Sequence, residues 1–400
     1  MRYDLRGKFV CGKCFGDQGL VNYCLTYAQR KKCDFCRTRA NDLIAAPLYE
    51  VLDHVKECVF KQYDNPDNAG LPYESAEGGY QGTTYDTEEV LDSLDLDFSR
   101  DKTNTLRDIV INSLGNDLWS EAEPFRLTAR QHLDYSWDHF CEVIKHERRY
   151  FFFQIGSGTA DPEEELDTPA EILRRIFDYA EEVGAFVTMP AGTLLFRARF
   201  QPAGKVYRTA GELGPPPVDF ATQTNRMSPP GIVMTYVSED RATALAETVN
   251  GRGTYAIGEF LTERPALILD LSNLPPTPSI FAEIPDSYPY DPRPRIGFLQ
   301  SVSREISRSI ARDDRVHVEY VPTQVVTEYV RAVLTIDGRN VDGIRYRSSR
   351  NWKKTAMVLF ADRNNLVLER GEQGEWYGLN RDRWLRLDKA SSKRVLKLPT

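Results

Sequence analysis

Residues 225–248 read NRMSPPGIVMTYVSEDRATALAET. Pro229, Pro230 and Gly231 make a turn, GIVMTYVS (231–238) is apolar and β-branched enough for a strand, and the stretch beyond it forms helices readily. Ser238 is the expected N-cap of a helix over about 239–250. Turn, strand and helix in such close order place this stretch in a mixed α/β domain. Packing accounts for its apolar positions but leaves Arg226, Tyr236 and Glu247 unexplained.

Outward from this point the carboxyl-terminal half keeps the same texture. TLLFRARF, TYAIGEFL, ALILDL and MVLFA are short strand candidates, with helices expected at about 239–250, 296–310 and 323–334. In TLLFRARF, period-two alternation puts Leu195, Arg197 and Arg199 on one face and Leu194, Phe196 and Ala198 on the other. An arginine on an otherwise buried strand needs an anion or an internal partner. Upstream, Thr168, Pro169 and Glu171 spell a capped helix start, and GSGTADPEEELD (156–167) reads as a linker.

Before the linker the chain is helical. ANDLIAAPLYEVLDHVKECVFKQY has helical periodicity, and Leu133, Trp137, Phe140 and Ile144 form an apolar stripe for packing. Cysteines stand at 11, 14, 24, 33, 36, 58 and 141. Cys11-x-x-Cys14 and Cys33-x-x-Cys36 have the spacing of a closed, structural zinc site, each pair supplying two thiolates from a tight turn. Cys58 and Cys141 lie on apolar helical faces and read as core.

A formal net charge of -8 over 400 residues argues against wholesale electrostatic capture of nucleic acid. No apolar run reaches membrane-spanning length, and the start lacks a secretory signal, so the expected location is the cytoplasm. Four of the five histidines (54, 132, 139, 146 and 317) lie in the amino-terminal half, which disfavours a histidine-based triad in the second domain. Walker and Rossmann phosphate loops are not spelled.

The segment 225–247 resembles the centre of the RES domain family, whose arginine-bearing turn, strand ending in tyrosine and A-L-A-E helix it matches. LLFRAR resembles the family's opening strand, with Arg197 in the arginine position. YVPTQVVTEYVR is similar to its late helix, and GIRYRSSR to its Y-x-S segment, which places the serine at Ser348 after Tyr346, with Ser349 as its competitor. These segments cover about 190–375. The cysteine-bearing start is similar to the amino-terminal domain that accompanies RES and some HEPN proteins. The long interval from Glu247 to Ser348, with the proline-rich LSNLPPTPSIFAEIPDSYPYDPRPR, reads as an insertion near the site.

The resemblance implies an α+β chain: a cysteine-rich zinc knuckle and helical domain over 1–155, a connecting segment over 156–190, a RES domain of ADP-ribosyltransferase-like fold over 191–375, and a carboxyl-terminal extension over 376–400. It also implies a toxin or defence effector, against phage for example, that cleaves NAD+ at the nicotinamide–ribose bond by hydrolysis or phosphorolysis, or else transfers ADP-ribose to a protein. In that picture Glu247 stabilises the ribosyl cation, Arg197 and Arg226 hold the pyrophosphate, Tyr236 stacks on nicotinamide, and Ser348, with Tyr346 near it, bonds the ribose or the amide. NAD+ is the substrate and Zn2+ the structural metal. Such an enzyme needs restraint, by an antitoxin, by homo-oligomer assembly or by its amino-terminal domain. Two other classes stay open: a HEPN-like ribonuclease on Arg126 and His132, and a sensing or docking module without catalysis.

Overall fold

The computed structural model describes residues 5, 7–115, 118–150, 166–285, 290–308, 315–351, 353–367 and 383–396. The chain divides into two compact units, one of residues 1–132 with 276–294, the other of 133–275 with 295–400. Most of the expected linker, 156–167, lies outside the described residues. Among the described residues no helix is long and apolar enough to cross a membrane.

The first unit is built on α1 (Gln18–Thr26), α2 (Leu48–Phe60), α3 (Thr87–Ser93) and α4 (Leu106–Leu114). With them run, among the described residues, the short strands β1 (Phe9–Val10), β2 (Ala46–Pro47), β3 (Tyr63–Asp64), β4 (Tyr73–Glu74), β5 (Gly79–Tyr80), β6 (Tyr85–Asp86) and β7 (Leu118–Glu121). Val51, Val55 and Val59 of α2 repeat at helical spacing and meet Leu106 and Val110 of α4 around Trp119. The indole N–H of Trp119, fully buried, is satisfied by Thr87 Oγ1 at 3.0 Å. Asp86 and Glu89 close a capping box at the start of α3. The proline-rich interval after Glu247 contributes its residues 276–294 to this unit, where Phe281 is fully buried and its carbonyl meets His54 Nε2 at 2.8 Å.

The second unit begins with the apolar stripe of α5 (Ala129–Glu142), which continues as a π turn over Val143–Glu147. Leu133, Trp137, Phe140 and Ile144 are all buried in its core, and the boundary between the two units falls within α5, after His132. The capping box of Thr168 and Glu171, with Pro169 at the first position, starts α6 (Pro169–Glu182) as expected. Its remaining elements are β8 (Phe186–Met189), β9 (Leu194–Gln201), α7 (Ala210–Leu213), β10 (Thr235–Ser238), α8 (Arg241–Thr248), β11 (Gly253–Thr262), β12 (Ala266–Asp270), α9 (Arg293–Ser307), α10 (Val316–Glu319), α11 (Val321–Ala332), β13 (Thr335–Ile336), β14 (Arg339–Asn340), β15 (Gly343–Arg347), β16 (Thr355–Leu359), β17 (Leu366–Val367) and β18 (Leu385–Val395).

Among the described residues nine strands form one sheet in the order β17-β18-β11-β9-β10-β16-β15-β12-β8, antiparallel except at β17–β18 and β12–β15. Helices α5, α6, α9 and α11 cover one face at β10, β16, β15 and β12. On the other face Met189 and Ala266 from one end share a core with Leu366, Trp384 and Leu385 from the other, so the sheet curls round that core. β18 pairs with β11 from Gly253 opposite Val395 to Thr262 opposite Leu385. The segment expected as an extension past 376 therefore supplies a full strand of the sheet. Its polar run, LDKASSKRV, lacks the apolar alternation that would announce a strand.

Candidate functional site

Strand register decides which side chains share a face. Tyr236 stands opposite Val358 and Ser238 opposite Ala356, Val358 and Ala356 stand opposite Ile344 and Tyr346, and Ser238 also stands opposite Phe196. Opposed residues of an antiparallel pair point the same way. Tyr236, Tyr346, Phe196 and Ala198 thus share one face, where α8 packs Ala244 and Leu245 against Ala198 and Ile257. Helix α8 is capped by Asp240, which accepts from the Thr243 amide at 2.9 Å, rather than by Ser238, which is the last residue of β10.

Arg197 leaves β9 on the opposite face, together with Leu195 and Arg199, as the alternation predicts. Arg197 Nε donates to the Leu213 carbonyl at the end of α7 (3.1 Å), and Arg199 Nη1 donates to that of Glu212. β9 and β10 are in register at one position only, Ser238 opposite Phe196. Beside it Arg197 Nη1 donates to the Tyr236 carbonyl at 2.9 Å, so its guanidinium fastens the two strands where they part. Among the described residues it has no carboxylate partner. Burial, and after it the charge of Arg199, pushes its pKa down to about 10.

On the α8 face a polar cluster forms around Glu247, half-buried in the last turn of α8. A carboxylate there faces the negative end of the helix dipole, a local cost that a purely structural residue would avoid. Ser348, 2 % exposed, donates its Oγ proton to Glu247 Oε1 (2.5 Å). Ser348 Oγ itself accepts from the amides of Arg350 (3.2 Å) and Asn351 (3.0 Å). A hydroxyl has two lone pairs and one proton, so these amides direct the proton to Glu247. Asn351 Nδ2 in turn donates to Thr243 Oγ1 at 3.1 Å, tying the turn to α8.

Ser349 takes a different partner. Its Oγ accepts from Arg226 Nη2 at 3.2 Å, while Arg226 Nη1 donates to the Ile306 carbonyl at 2.8 Å. The Arg226 guanidinium also lies 6.0 Å from the centre of the Tyr346 ring and, among the described residues, has no acidic partner. Tyr236 spends its hydroxyl on the loop that carries Arg226, accepting from the Met227 amide (3.3 Å) and sharing a hydrogen bond with Ser228 Oγ (2.9 Å). Tyr346 is 5 % exposed, and its hydroxyl has no hydrogen-bond partner among the described residues. Burial first, then the charge of Glu247, holds its phenol far above the ordinary range, and burial raises that of Tyr236.

The structure thus assembles Glu247, Ser348, Tyr346, Arg226 and Tyr236 on one face and leaves the Arg197 side chain on the other. Asn351 and Thr243 were missed from the sequence because their bond joins residues more than 100 positions apart. Of the ribonuclease pair, His132 lies on α5 while Arg126 is exposed in the turn before it.

In the first unit Cys11, Cys14, Cys33 and Cys36 are buried, and their sulfurs all lie within 4.8 Å of one another. The nearer pairs are 3.5, 3.6 and 3.8 Å apart. A tetrahedron with Zn–S bonds of ~2.3 Å has edges of ~3.8 Å, so this donor set can hold Zn2+ with every position filled by protein. The Cys11 amide points at Cys33 Sγ (3.4 Å), a second layer of support for a thiolate. Cys58 is buried on α2, and half-buried Cys141 packs at the edge of the second unit's core.

Fold and site together define a two-part α/β protein, with a closed cysteine centre in one part and a carboxylate–arginine–tyrosine cluster in the other. Residues 194–380 match the family model described as the RES domain, and residues 26–158 that of HEPN/RES N-terminal domain 1. The chain carries a RES domain behind a HEPN/RES N-terminal domain, as its motifs imply. Two of the four cysteines precede the second match. Searches of curated proteins and of solved structures returned no match.

Proposed function

We propose that the protein is an NAD+-consuming enzyme that breaks the nicotinamide–ribose bond, with Glu247 as the central catalytic group. The observation that carries this reading is the bond between Glu247 and Ser348 beside Tyr346 and Arg226, inside a domain family associated with NAD+-targeting toxins. The expected likeness of the domain to ADP-ribosyltransferases belongs to the same proposal.

The chemistry suits the residues. The C1′–N bond breaks with its electron pair going to the ring nitrogen, so nicotinamide leaves neutral and needs no general acid. Positive charge develops on the ribose, and a carboxylate preorganised beside it stabilises that charge more than it stabilises the ground state. Ser348, its proton directed at Glu247, holds the carboxylate in place. Water or phosphate then forms the new C1′–O bond, and with water the released proton passes to Glu247 or solvent.

Arg226 is the arginine best suited to the pyrophosphate, because it lies on the Glu247 face and has only neutral partners among the described residues. Arg350, Lys353 and Lys354, all exposed in the segment after Ser348, add a basic surface that favours an anionic substrate. Tyr346 offers the substrate a hydroxyl that has no hydrogen-bond partner among the described residues. Tyr236 is placed to support the Arg226 loop, with its ring packed against the neighbouring core. Arg197, expected at the pyrophosphate, is proposed instead to hold Tyr236 in position from the far side of the sheet.

The test is purified protein incubated with NAD+, with and without phosphate, beside Glu247→Gln. Nicotinamide release that disappears in the variant supports the reading, and the mass of the ribosyl product assigns the acceptor as water, phosphate or protein. Release that persists in Glu247→Gln overturns it. In cells, a toxin of this kind needs an antitoxin, an oligomer or the amino-terminal unit to restrain it. Co-purification from the native host, followed by NAD+ measurement after the partner is removed, tests that part.

A further inference from the structure

Arg226 sits in an irregular loop that is gripped from two sides. Tyr236 and Ser228 hold the residues just after it. From the other side the first turn of α11 presents two buried polar residues, Thr323 (7 % exposed) and Gln324 (8 % exposed). Gln324 Nε2 donates to the Asn225 carbonyl at 2.8 Å. Thr323 Oγ1 donates to the Arg226 carbonyl, sharing its single proton with the Tyr320 carbonyl at 2.9 Å.

Elsewhere α11 is anchored by Val321, Val326 and Val330 in the core, so apolar side chains would serve its packing at 323 and 324 as well. Burying a glutamine and a threonine costs free energy unless their bonds are needed. What these bonds fix is the backbone on either side of the Arg226 peptide, and through it the direction of a guanidinium that reaches Ser349 and Ile306 at once.

We infer that Thr323 and Gln324 are positioning residues that aim Arg226 at the pyrophosphate, and so make the site select a dinucleotide over a nucleoside. The inference rests on the NAD+ reading. A guanidinium is useful to a pyrophosphate only when its planar fork meets the oxygens squarely, so a loop free to pivot would keep the charge and lose the fit.

The experiment uses the full chain as wild type, Thr323→Val, Thr323→Ser and Gln324→Leu, each checked by thermal unfolding. It measures kcat and KM for NAD+ and inhibition by ADP-ribose and by adenosine, which lacks the pyrophosphate. Thr323→Val keeps the shape and removes the donor, and Gln324→Leu removes the donor by a second route. The expected result for both is KM and the ADP-ribose inhibition constant raised about tenfold, the weight of one or two lost hydrogen bonds. Inhibition by adenosine is unchanged, kcat stays within about twofold, and Thr323→Ser behaves as wild type. Unchanged KM in both variants, or a fall in kcat with adenosine and ADP-ribose weakened alike, overturns the inference. A wild-type protein that neither releases nicotinamide nor binds ADP-ribose overturns the NAD+ reading as well.

Discussion

The cysteine centre and the Glu247 cluster are built in opposite ways. The four cysteines come from two turns within residues 11–36, point inward and leave no position for another molecule. The Glu247 cluster draws on α8, the 225–228 loop and the turn after β15, and it keeps a tyrosine hydroxyl and an arginine without protein counter-ions among the described residues. A closed set of like ligands serves stability. On the proposed reading, a set of unlike groups serves a substrate, and the protein tolerates its cost because a bound molecule would complete it.

The largest effect should fall on the closed centre. Metal binding to such sites supplies on the order of 10 kcal/mol of folding free energy, so Cys33→Ser or a strong chelator should remove bound zinc and abolish the cooperative unfolding of the first unit. Metal analysis beside calorimetry checks this, and a variant that melts like wild type would erase the contrast. Next, Glu247→Gln should lower nicotinamide release by about 10²–10³-fold. It should hardly move the melting temperature, since glutamine still accepts from Ser348.

Arg226→Ala should raise KM for NAD+ by about 10–100-fold, the range of one charge-assisted hydrogen bond. Arg226→Lys should recover only part of this, because an ammonium cannot reproduce the fork. Arg197→Met should instead cost about 1–3 kcal/mol of stability, by leaving the Leu213 and Tyr236 carbonyls without their donor, with KM little changed in the folded fraction. A large KM effect with no loss of stability would return Arg197 to the substrate.

The smallest effect concerns alkali. The phenol of Tyr346 is raised by burial in the folded protein, so above pH ~10 the unfolded chain gives up this proton while the folded one keeps it. The stability it contributes is complete below that pH and is lost as pH rises toward the folded value. Tyr346→Phe should make stability fall less steeply above pH ~10, as read by denaturant titrations across that range.

Part of this architecture was legible in the residues. The capped start of α6, the stripe of α5 and the core strands β9, β11, β12 and β16 follow from periodicity and cap chemistry. β18 was not, because its polar sequence becomes a strand only by pairing with β11. Nor was the placement of 276–294 in the first unit, which rests on contacts such as those of Phe281, Ile280 and Glu283 rather than on any sequence pattern.

By itself the sequence determined the cysteine centre, since two C-x-x-C turns carry their geometry within a few residues, and it marked Glu247, Arg226, Tyr236, Tyr346 and Ser348 as residues to follow. Only the tertiary structure decided that the Arg197 side chain leaves β9 on the face opposite the one where α8 carries Glu247, that Ser348 bonds the carboxylate while Ser349 bonds Arg226, and that Thr323 and Gln324 hold the arginine's loop. Strand alternation tells which residues share a face within one strand. Which faces meet depends on register between strands and on where helices dock, and those are set by contacts between residues far apart in the chain.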